Sequence, residues 1–247
     1  MSIIHPWHQL GYIIPHLQTD MDAYQFYNIA PKGMILVTTG LNLQGHSMEA
    51  VEAELPAFWR AIDILKKKKV DRIALSGVPV ASYLGRKRMR EMLAEAEQRS
   101  GIPCDTDLEA HIAALKHLGA TKIALATRWH EPTNTALTKY LNEAGIEVVA
   151  LRAQGSTLQQ HKLANPAADH QLALDLAQVL RDTPQAQAIM MPGGLWHAMH
   201  AVPLIEAEYG VPATLNITAT TWAALHAAGP HLLHKPEAKW GRLLASL

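Results

Sequence analysis

Three histidines lie where an imidazole could exchange protons with a ligand. His16, His130 and His197 each come a few residues after a short apolar run that the sequence predicts to be a buried strand. Imidazole titrates near neutral pH, so a histidine in such a position can act as a general acid or base. Each is also compatible with a solvated loop residue or a helix-packing residue, and the sequence leaves these alternatives open.

A glycine pair, Gly193 and Gly194, follows one of these runs and could bind an anion. Its backbone N–H groups would lie beside the start of a helix predicted over Trp196–Glu208, and such groups bind carboxylates and oxyanions. His197 and His200 would share a face of this helix. No Asp or Glu stands at a complementary spacing, so we predict no metal site.

Short apolar runs alternate with amphipathic stretches along the whole chain, a pattern typical of βαβ units and a parallel sheet. The predicted strands are Leu10–Ile14, Met34–Thr38, Arg72–Leu75, Lys122–Ala126, Glu147–Leu151, Ala188–Met191 and Ala213–Asn216. The predicted helices are Ser47–Lys67, Arg86–Arg99, Thr106–Leu118, Asn134–Ala144, Ala167–Arg181, Trp196–Glu208 and Thr218–Ala228.

The order of these elements repeats in the second half of the chain. We therefore predict an α/β protein of two pseudo-symmetric lobes, each a mostly parallel sheet flanked by helices. Residues 1–112 and 218–247 would form lobe I, and residues 113–217 lobe II. The third strand of each unit runs into a turn that contains glycine and proline, so we expect Pro79 and Pro192 to face each other across a cleft between the lobes, where ligands commonly bind.

Composition argues against several classes of protein. The 22 basic and 22 acidic side chains cancel, which gives no charge argument for nucleic acid or an acidic membrane surface. No run approaches the ~18 apolar residues of a membrane span, and the start lacks the pattern of an export signal, so we expect a cytoplasmic protein. The single cysteine, Cys104, excludes a mechanism with two thiols. Motifs of serine hydrolases, nucleotide hydrolases and zinc proteases are absent.

Several short motifs, in their order and approximate spacing, resemble the aspartate/glutamate racemase superfamily, and within it the branch of arylmalonate decarboxylases and maleate cis-trans isomerases. They are Gly11-Tyr-Ile-Ile-Pro15, Thr39-Gly-Leu41, Ala126-Thr127 followed by Asn134, Gly193-Gly-Leu195, and Gly210-Val-Pro212 followed by Trp222. The resemblance implies a small carboxylate as ligand and chemistry without a metal or cofactor. A homo-oligomer is compatible with the sequence.

The resemblance also implies which groups are missing. Members of this superfamily move protons with thiols at the ends of two symmetry-related strands, and Pro192 stands at the position of the second thiol. In the first turn, Gly77 is followed by Val78 and Pro79 where decarboxylases carry hydroxyl donors. Proline has no backbone N–H either. Histidine is the replacement that we expect for the lost thiols.

Other positions acquire roles through the same resemblance. Gln18, which follows Pro15 and His16 in one turn, would place an amide where maleate isomerases bind the substrate carboxylate with asparagine. Tyr83 would direct its phenol into the cleft, and Trp129 would replace a tyrosine that hydrogen-bonds the substrate. Asn134 belongs to the motif that follows Trp129.

Three functions remain open from the sequence. The first is a lyase or isomerase without cofactor, in which an enolate or carbanion is stabilised by the Gly193 and Gly194 amides and protonated by histidine. Decarboxylation is favoured because it needs one proton donor, whereas racemisation needs two. The second is a hydrolase or hydratase in which histidine activates water, and the third is a carboxylate-binding protein without catalysis.

Overall fold

The computed structural model describes residues 5–16, 21–158, 160 and 165–247. Its eight strands form two four-stranded sheets, and all paired neighbours run parallel. The strands are β1 His8–Ile14, β2 Met34–Gly40, β3 Arg72–Leu75, β4 Cys104–Thr106, β5 Lys122–Trp129, β6 Glu147–Ser156, β7 Ala188–Met191 and β8 Ala213–Leu215.

The two sheets have the same internal order, which is β2-β1-β3-β4 in the first and β6-β5-β7-β8 in the second. This confirms the prediction of two pseudo-symmetric parallel lobes. The flanking α-helices are α1 Met21–Ile29, α2 Met48–Lys68, α3 Val78–Leu84, α4 Arg86–Ser100, α5 Asp107–His117, α6 Thr133–Glu143, α7 Pro166–Ala177, α8 Ala201–Tyr209, α9 Asn216–Ala228 and α10 Arg242–Ala245.

The central strands β5 and β7 are buried on both faces, as expected of parallel sheets covered by helices, whereas the edge strand β6 is largely exposed. Alternate residues of β5 enter two different hydrophobic clusters, with Ala124 and Ala126 in one and Ile123 and Leu125 in the other. Each cluster also contains residues of β1, so each extends across both lobes. Helix α9, which follows β8 of the second sheet, packs against α1 and α5.

The structure differs from the sequence prediction at several elements. Helices α1 and α3 and strand β4, which has only three residues, were not predicted. Pro79 does not end a strand: β3 stops at Leu75 and Pro79 is the second residue of α3, a position that tolerates proline because no intrahelical N–H is required there. Pro192, by contrast, directly follows β7.

The helix predicted from Trp196 begins only at Ala201. The preceding segment is held in an irregular conformation by Gln25 of α1. The Gln25 amide oxygen accepts hydrogen bonds from the Ala198 and Met199 N–H groups, and its amide nitrogen donates to the Trp196 carbonyl oxygen. Gly193 and Gly194 therefore do not lie at a helix N-terminus, and His197 and His200 do not share a helix face.

In the described part of the chain, no helix is both long enough and apolar enough to cross a membrane.

Candidate active site

A cavity of about 50 Å³ opens where β1, β3, β5 and β7 end, between the two sheets. The carboxyl ends of strands in open parallel sheets are the usual place for ligands. About 10–15 Å³ of such space admits one water molecule, so the cavity has room for a few waters or one small ligand.

Many of the residues predicted from sequence line this cavity. They are Pro15, His16, Gly77, Val78, Pro79, Trp129, Pro192, Gly193 and Gly194. Pro79 and Pro192 thus border the same space, although they stand at different distances from their strands. Gly77 has a φ of 102°, and a β-carbon there would lie 3.0 Å from the Pro15 ring, so the turn requires glycine.

Four predicted side chains do not line the cavity. His130 is exposed, and His197 lies beside Tyr24 and His200, with ring-centroid distances of 5.1 and 6.2 Å. Tyr83 places its hydroxyl 3.1 Å from the Thr133 hydroxyl. The fourth is Asn134.

Asn134 is buried and supports the end of β5. Its amide oxygen accepts from the Thr127 hydroxyl and its amide nitrogen donates to the Trp129 carbonyl oxygen. These bonds hold the turn behind the cavity wall. Gln18 lies outside the described residues.

Four polar residues of the wall were missed: Asp22, His46, Ser76 and Arg128. Asp22 belongs to the unpredicted helix α1. Ser76 and Arg128 were identifiable in principle, because each lies at the carboxyl end of a predicted strand. His46 precedes α2 and carries no sequence signal of its own.

Asp22 is buried and takes part in a cluster that also contains Tyr12, Ser76 and Asp107, here called the buried carboxyl cluster. Asp22 Oδ2 accepts hydrogen bonds from the Tyr12 hydroxyl at 2.7 Å and the Ser76 hydroxyl at 3.2 Å. The same Tyr12 hydroxyl lies 3.4 Å from Asp107 Oδ1. Burial and the two carboxylates hold the pKa of Tyr12 well above its usual range, so its phenol remains a donor.

Asp107 connects this cluster to both turns of the cavity. Its Oδ2 accepts from the Gly77 N–H at 3.2 Å and from the Asn216 amide at 2.7 Å. Asn216 Oδ1 in turn accepts the Gly193 N–H at 2.9 Å. The Gly193 N–H, predicted to stabilise an oxyanion, therefore already has an acceptor within the protein. Burial raises the pKa of Asp107 to about 6.

His111, buried in α5, completes this chain of hydrogen bonds. Its Nε2 lies 3.0 Å from Asn216 Oδ1, and its Nδ1 lies 3.0 Å from the Thr214 hydroxyl. Because an amide oxygen only accepts, the hydrogen of the neutral ring lies on Nε2. Burial lowers the pKa of His111 to about 4, so the ring is neutral at pH 7.

Gly194 is covered by Asp22. A β-carbon added to Gly194 would collide with Asp22 Oδ2, so glycine is required for the carboxyl group to lie there. The Gly193 N–H thus donates to Asn216, and the carboxyl group of Asp22 packs against Gly194.

Arg128 lies in the wall of the cavity and forms an ion pair with Asp169 of α7, at 3.3 Å. Its guanidinium also donates to the Leu195 carbonyl oxygen at 3.0 Å. Asp169 accepts the His197 N–H, so the pair fixes the segment that follows Gly194. Burial lowers the pKa of Arg128, but a guanidinium stays charged in proteins.

His16 is buried in the wall, and its Nδ1 lies 3.2 Å from the Leu43 carbonyl oxygen. Since a carbonyl oxygen only accepts, Nδ1 carries a hydrogen. The His46 ring lies 6.0 Å from the His16 ring. The cavity therefore contains groups able to exchange protons, although Cys104 lies outside it, on β4, where burial raises its thiol pKa to about 12.

Among the residues described, no group of three His, Cys, Asp or Glu side chains is arranged to hold a metal ion.

Comparison with known proteins agrees with this architecture. The arylmalonate decarboxylase family model matches residues 10–243. Arylmalonate decarboxylase of Bordetella bronchiseptica is 25% identical over 237 residues, which are 95% of each chain.

Solved structures show the same fold. A liganded double mutant of arylmalonate decarboxylase superposes with a TM-score of 0.84 at 22% identity, covering 97% of this chain and 100% of the other. A Nocardia farcinica maleate cis-trans isomerase with a covalent succinylcysteine intermediate gives 0.80 at 18% identity, covering 97% and 99%. With its family model matched over nearly its whole length, the chain belongs to the arylmalonate decarboxylase family.

Proposed function

We propose that the protein is a lyase or isomerase that acts without cofactor on a small carboxylate through an enolate or carbanion. The observation that supports this most is the cavity itself. The family fold brings both turns to one small space whose wall combines apolar surface from Val78, Pro79 and Trp129 with groups that can carry protons. Decarboxylase and isomerase relatives support the same class of reaction.

Decarboxylation is the reaction that we favour. Loss of CO₂ leaves the electron pair of the broken C–C bond on the substrate as an enolate, and one proton delivered to carbon completes the product. Water then returns that proton to the donor. No cysteine lies in the described wall, so the donor must be another group.

His16 is our candidate for this donor. Of the three histidines predicted from sequence, it is the one that lines the cavity. Its Nδ1–H bond to the Leu43 carbonyl oxygen fixes the orientation of the ring. Arg128 lies in the same wall, where its guanidinium is paired with the carboxylate of Asp169.

The second candidate function is carboxylate binding without catalysis. One observation favours it: the Gly193 N–H donates to Asn216 and Pro192 has no N–H, so two backbone donors of this turn are withdrawn from a bound ligand. An enzyme would need a different donor to stabilise its enolate.

A ligand screen followed by turnover measurements tests the proposal. Dicarboxylates and aryl carboxylates are screened for thermal stabilisation, since a ligand at ~100 Kd adds about 2.7 kcal/mol to the free energy of unfolding. Ligands that stabilise the protein are then assayed for CO₂ release and for conversion by NMR. Binding without any turnover would favour the binding protein.

For a turned-over substrate, we expect His16→Gln to lower kcat by ~10²–10⁴ and to change KM little, because proton transfer helps in the transition state. His231→Gln, at an exposed position, is the matched control and should keep the parental kcat. Unchanged kcat in His16→Gln, or a comparable loss in His130→Gln or His197→Gln, would contradict the role of His16.

A further inference from the structure

Residues 195–199, here called the wall segment, follow Gly194 and form part of the cavity wall. Leu195 and Trp196 of this segment line the cavity. The sequence favours a helix from Trp196, yet α8 begins only after the wall segment. Buried backbone outside a helix needs other partners for its N–H and C=O groups, and Trp196, Ala198 and Met199 are at most 1% exposed.

The side-chain amide of Gln25, in α1, is the partner of three of these backbone groups. Its Nε2 donates to the Trp196 carbonyl oxygen at 3.1 Å, and its Oε1 accepts from the N–H groups of Ala198 at 3.2 Å and Met199 at 3.1 Å. The Ala198 N–H is shared with the Trp196 carbonyl oxygen, at 2.9 Å. Gln25 is itself buried, so water does not compete for these bonds.

We propose that Gln25 is a positioning residue of the candidate active site, whose amide fixes the wall segment and, through it, the turn of Gly193 and Gly194. The inference rests on the proposed function only in taking this cavity as the place where a ligand binds. Gln25 acts from behind the wall, since it is not one of the lining residues. Asp22, which does line the cavity, lies three residues earlier on the same face of α1, so the amide ties this helix to the segment after β7.

The three bonds require a group that donates and accepts at once. An amide does so, and a neutral carboxylic acid can do the same, whereas a carboxylate only accepts. Glutamate at position 25 would therefore mimic the amide when protonated and lose the bond to the Trp196 carbonyl oxygen when ionised. Burial raises the pKa of a carboxyl group, so this ionisation should come above the usual range of glutamate. Gln25→Glu thus makes the proposed role depend on pH.

The first test is amide hydrogen exchange measured by NMR from pH 5 to 9, corrected for the intrinsic pH dependence of exchange. In Gln25→Met, which keeps the size but not the bonds, the Ala198 and Met199 N–H groups should exchange about tenfold faster or more. The Gly193 N–H, which Gln25 does not touch, should follow them because the turn moves. Gln25→Glu should match the parent at pH 5 and lose protection by up to about tenfold per pH unit as the acid ionises. Gln98→Glu makes the same change at an exposed position of α4 and should match the parent throughout.

The second test is the affinity for benzoate by calorimetry, a readout that packing of α1 alone would not make dependent on pH. Relative to the parent at the same pH, we expect Gln25→Met to bind benzoate about tenfold more weakly at pH 5 and pH 9. Gln25→Glu should show this loss only at pH 9. If Gln25→Met is too unstable to measure, the comparison of Gln25→Glu with Gln98→Glu decides the proposal.

Three results would overturn the proposal. They are a Gly193 N–H as protected in Gln25→Met as in the parent, the same pH dependence in Gln25→Glu as in Gln98→Glu, and parental affinity for benzoate in Gln25→Met. A parent that binds neither benzoate nor methylmalonate would instead count against the proposed function, and exchange of the Gly193 N–H would still decide the role of Gln25.

Discussion

At position 192, proline offers the cavity neither a polar side chain nor a backbone N–H, so neighbouring residues supply the polar groups of this part of the wall. The Gly193 N–H is paired with Asn216, and the surface of Gly194 is covered by Asp22. The polar side chains that line the cavity are those of His16, Asp22, His46, Ser76 and Arg128.

Gly194→Ala tests this contact without changing Asp22 itself. The added methyl group would collide with Asp22 Oδ2, so the carboxyl group must move away from its bonds with Tyr12 and Ser76. We expect a ligand identified in the stabilisation screen to bind about tenfold more weakly, and the free energy of unfolding to fall by roughly 1–3 kcal/mol, the usual cost of overpacking.

Gly45→Ala is the control for this variant. A β-carbon at Gly45 meets no atom within 4 Å, so binding and stability should stay close to the parental values. Equal behaviour of the two variants in calorimetry and urea unfolding would show that Gly194 is not needed for the position of Asp22.

Among the elements, the short strand β4 and the start of α5 place Asp107 behind the cavity wall, where it accepts the Gly77 N–H. Thr106 ends β4 and caps α5, because its hydroxyl accepts the Glu109 N–H at 3.0 Å. Asp107 is the next residue, so this cap fixes the carboxyl group that holds the Gly77 N–H.

We expect Thr106→Ala to lower the free energy of unfolding by about 1 kcal/mol, the usual cost of a lost N-cap. Thr106→Ser keeps the hydroxyl and should restore most of that stability. Urea unfolding of the three proteins provides the comparison, and a serine variant as unstable as the alanine variant would show that the methyl group, not the cap, is responsible.

The alternation of apolar runs and amphipathic stretches was enough to predict both sheets, since seven of the strands are long or apolar enough to give a signal. Strand β4 has three residues, including Asp105, and gives none. Helix α1 was missed because its buried residues include Asp22 and Gln25, which a hydrophobic pattern treats as exposed. The contributions of both residues to the site come from contacts with distant segments, which sequence spacing does not reveal.

For the molecule as a whole, the chain of bonds from Gly77 through Asp107 and Asn216 to Gly193 joins the two lobes beneath the cavity. Two buried titratable groups take part in it, Asp107 directly and His111 through its bond to Asn216. Their contributions to the free energy of unfolding change with pH in opposite directions. Burial favours the neutral form of both groups. For the carboxyl group the neutral form carries the acidic proton, whereas for histidine the neutral form has lost it.

Their effects on stability therefore have opposite signs. The Asp107 pKa rises from 3.8 to about 6 on folding, so its contribution is present below pH 3.8 and is lost as pH rises through 6. The His111 pKa falls from 6.5 to about 4, so its contribution is present above pH 6.5 and is lost as pH falls through 4. Each change amounts to about 3 kcal/mol, since one pKa unit is about 1.4 kcal/mol.

We expect Asp107→Asn to remove the stabilising contribution that Asp107 loses as pH rises. The free energy of unfolding should then rise more steeply from pH 4 to 6 than in the parent. His111→Gln should change the slope in the opposite direction. Urea unfolding at several pH values measures both slopes. Parental slopes in both variants would show that neither group changes its protonation on folding.

The chain of hydrogen bonds under the cavity also limits how the protein can adapt. With the Gly77 and Gly193 amides anchored to one another, the floor cannot widen when the lobes move apart unless buried bonds break. Room for a larger ligand must then come from smaller side chains in the wall, such as replacements of Trp129 or Leu158. Specificity for ligand size in this protein is accordingly a property that evolution can adjust one wall residue at a time, without changing the hydrogen bonds that join the lobes.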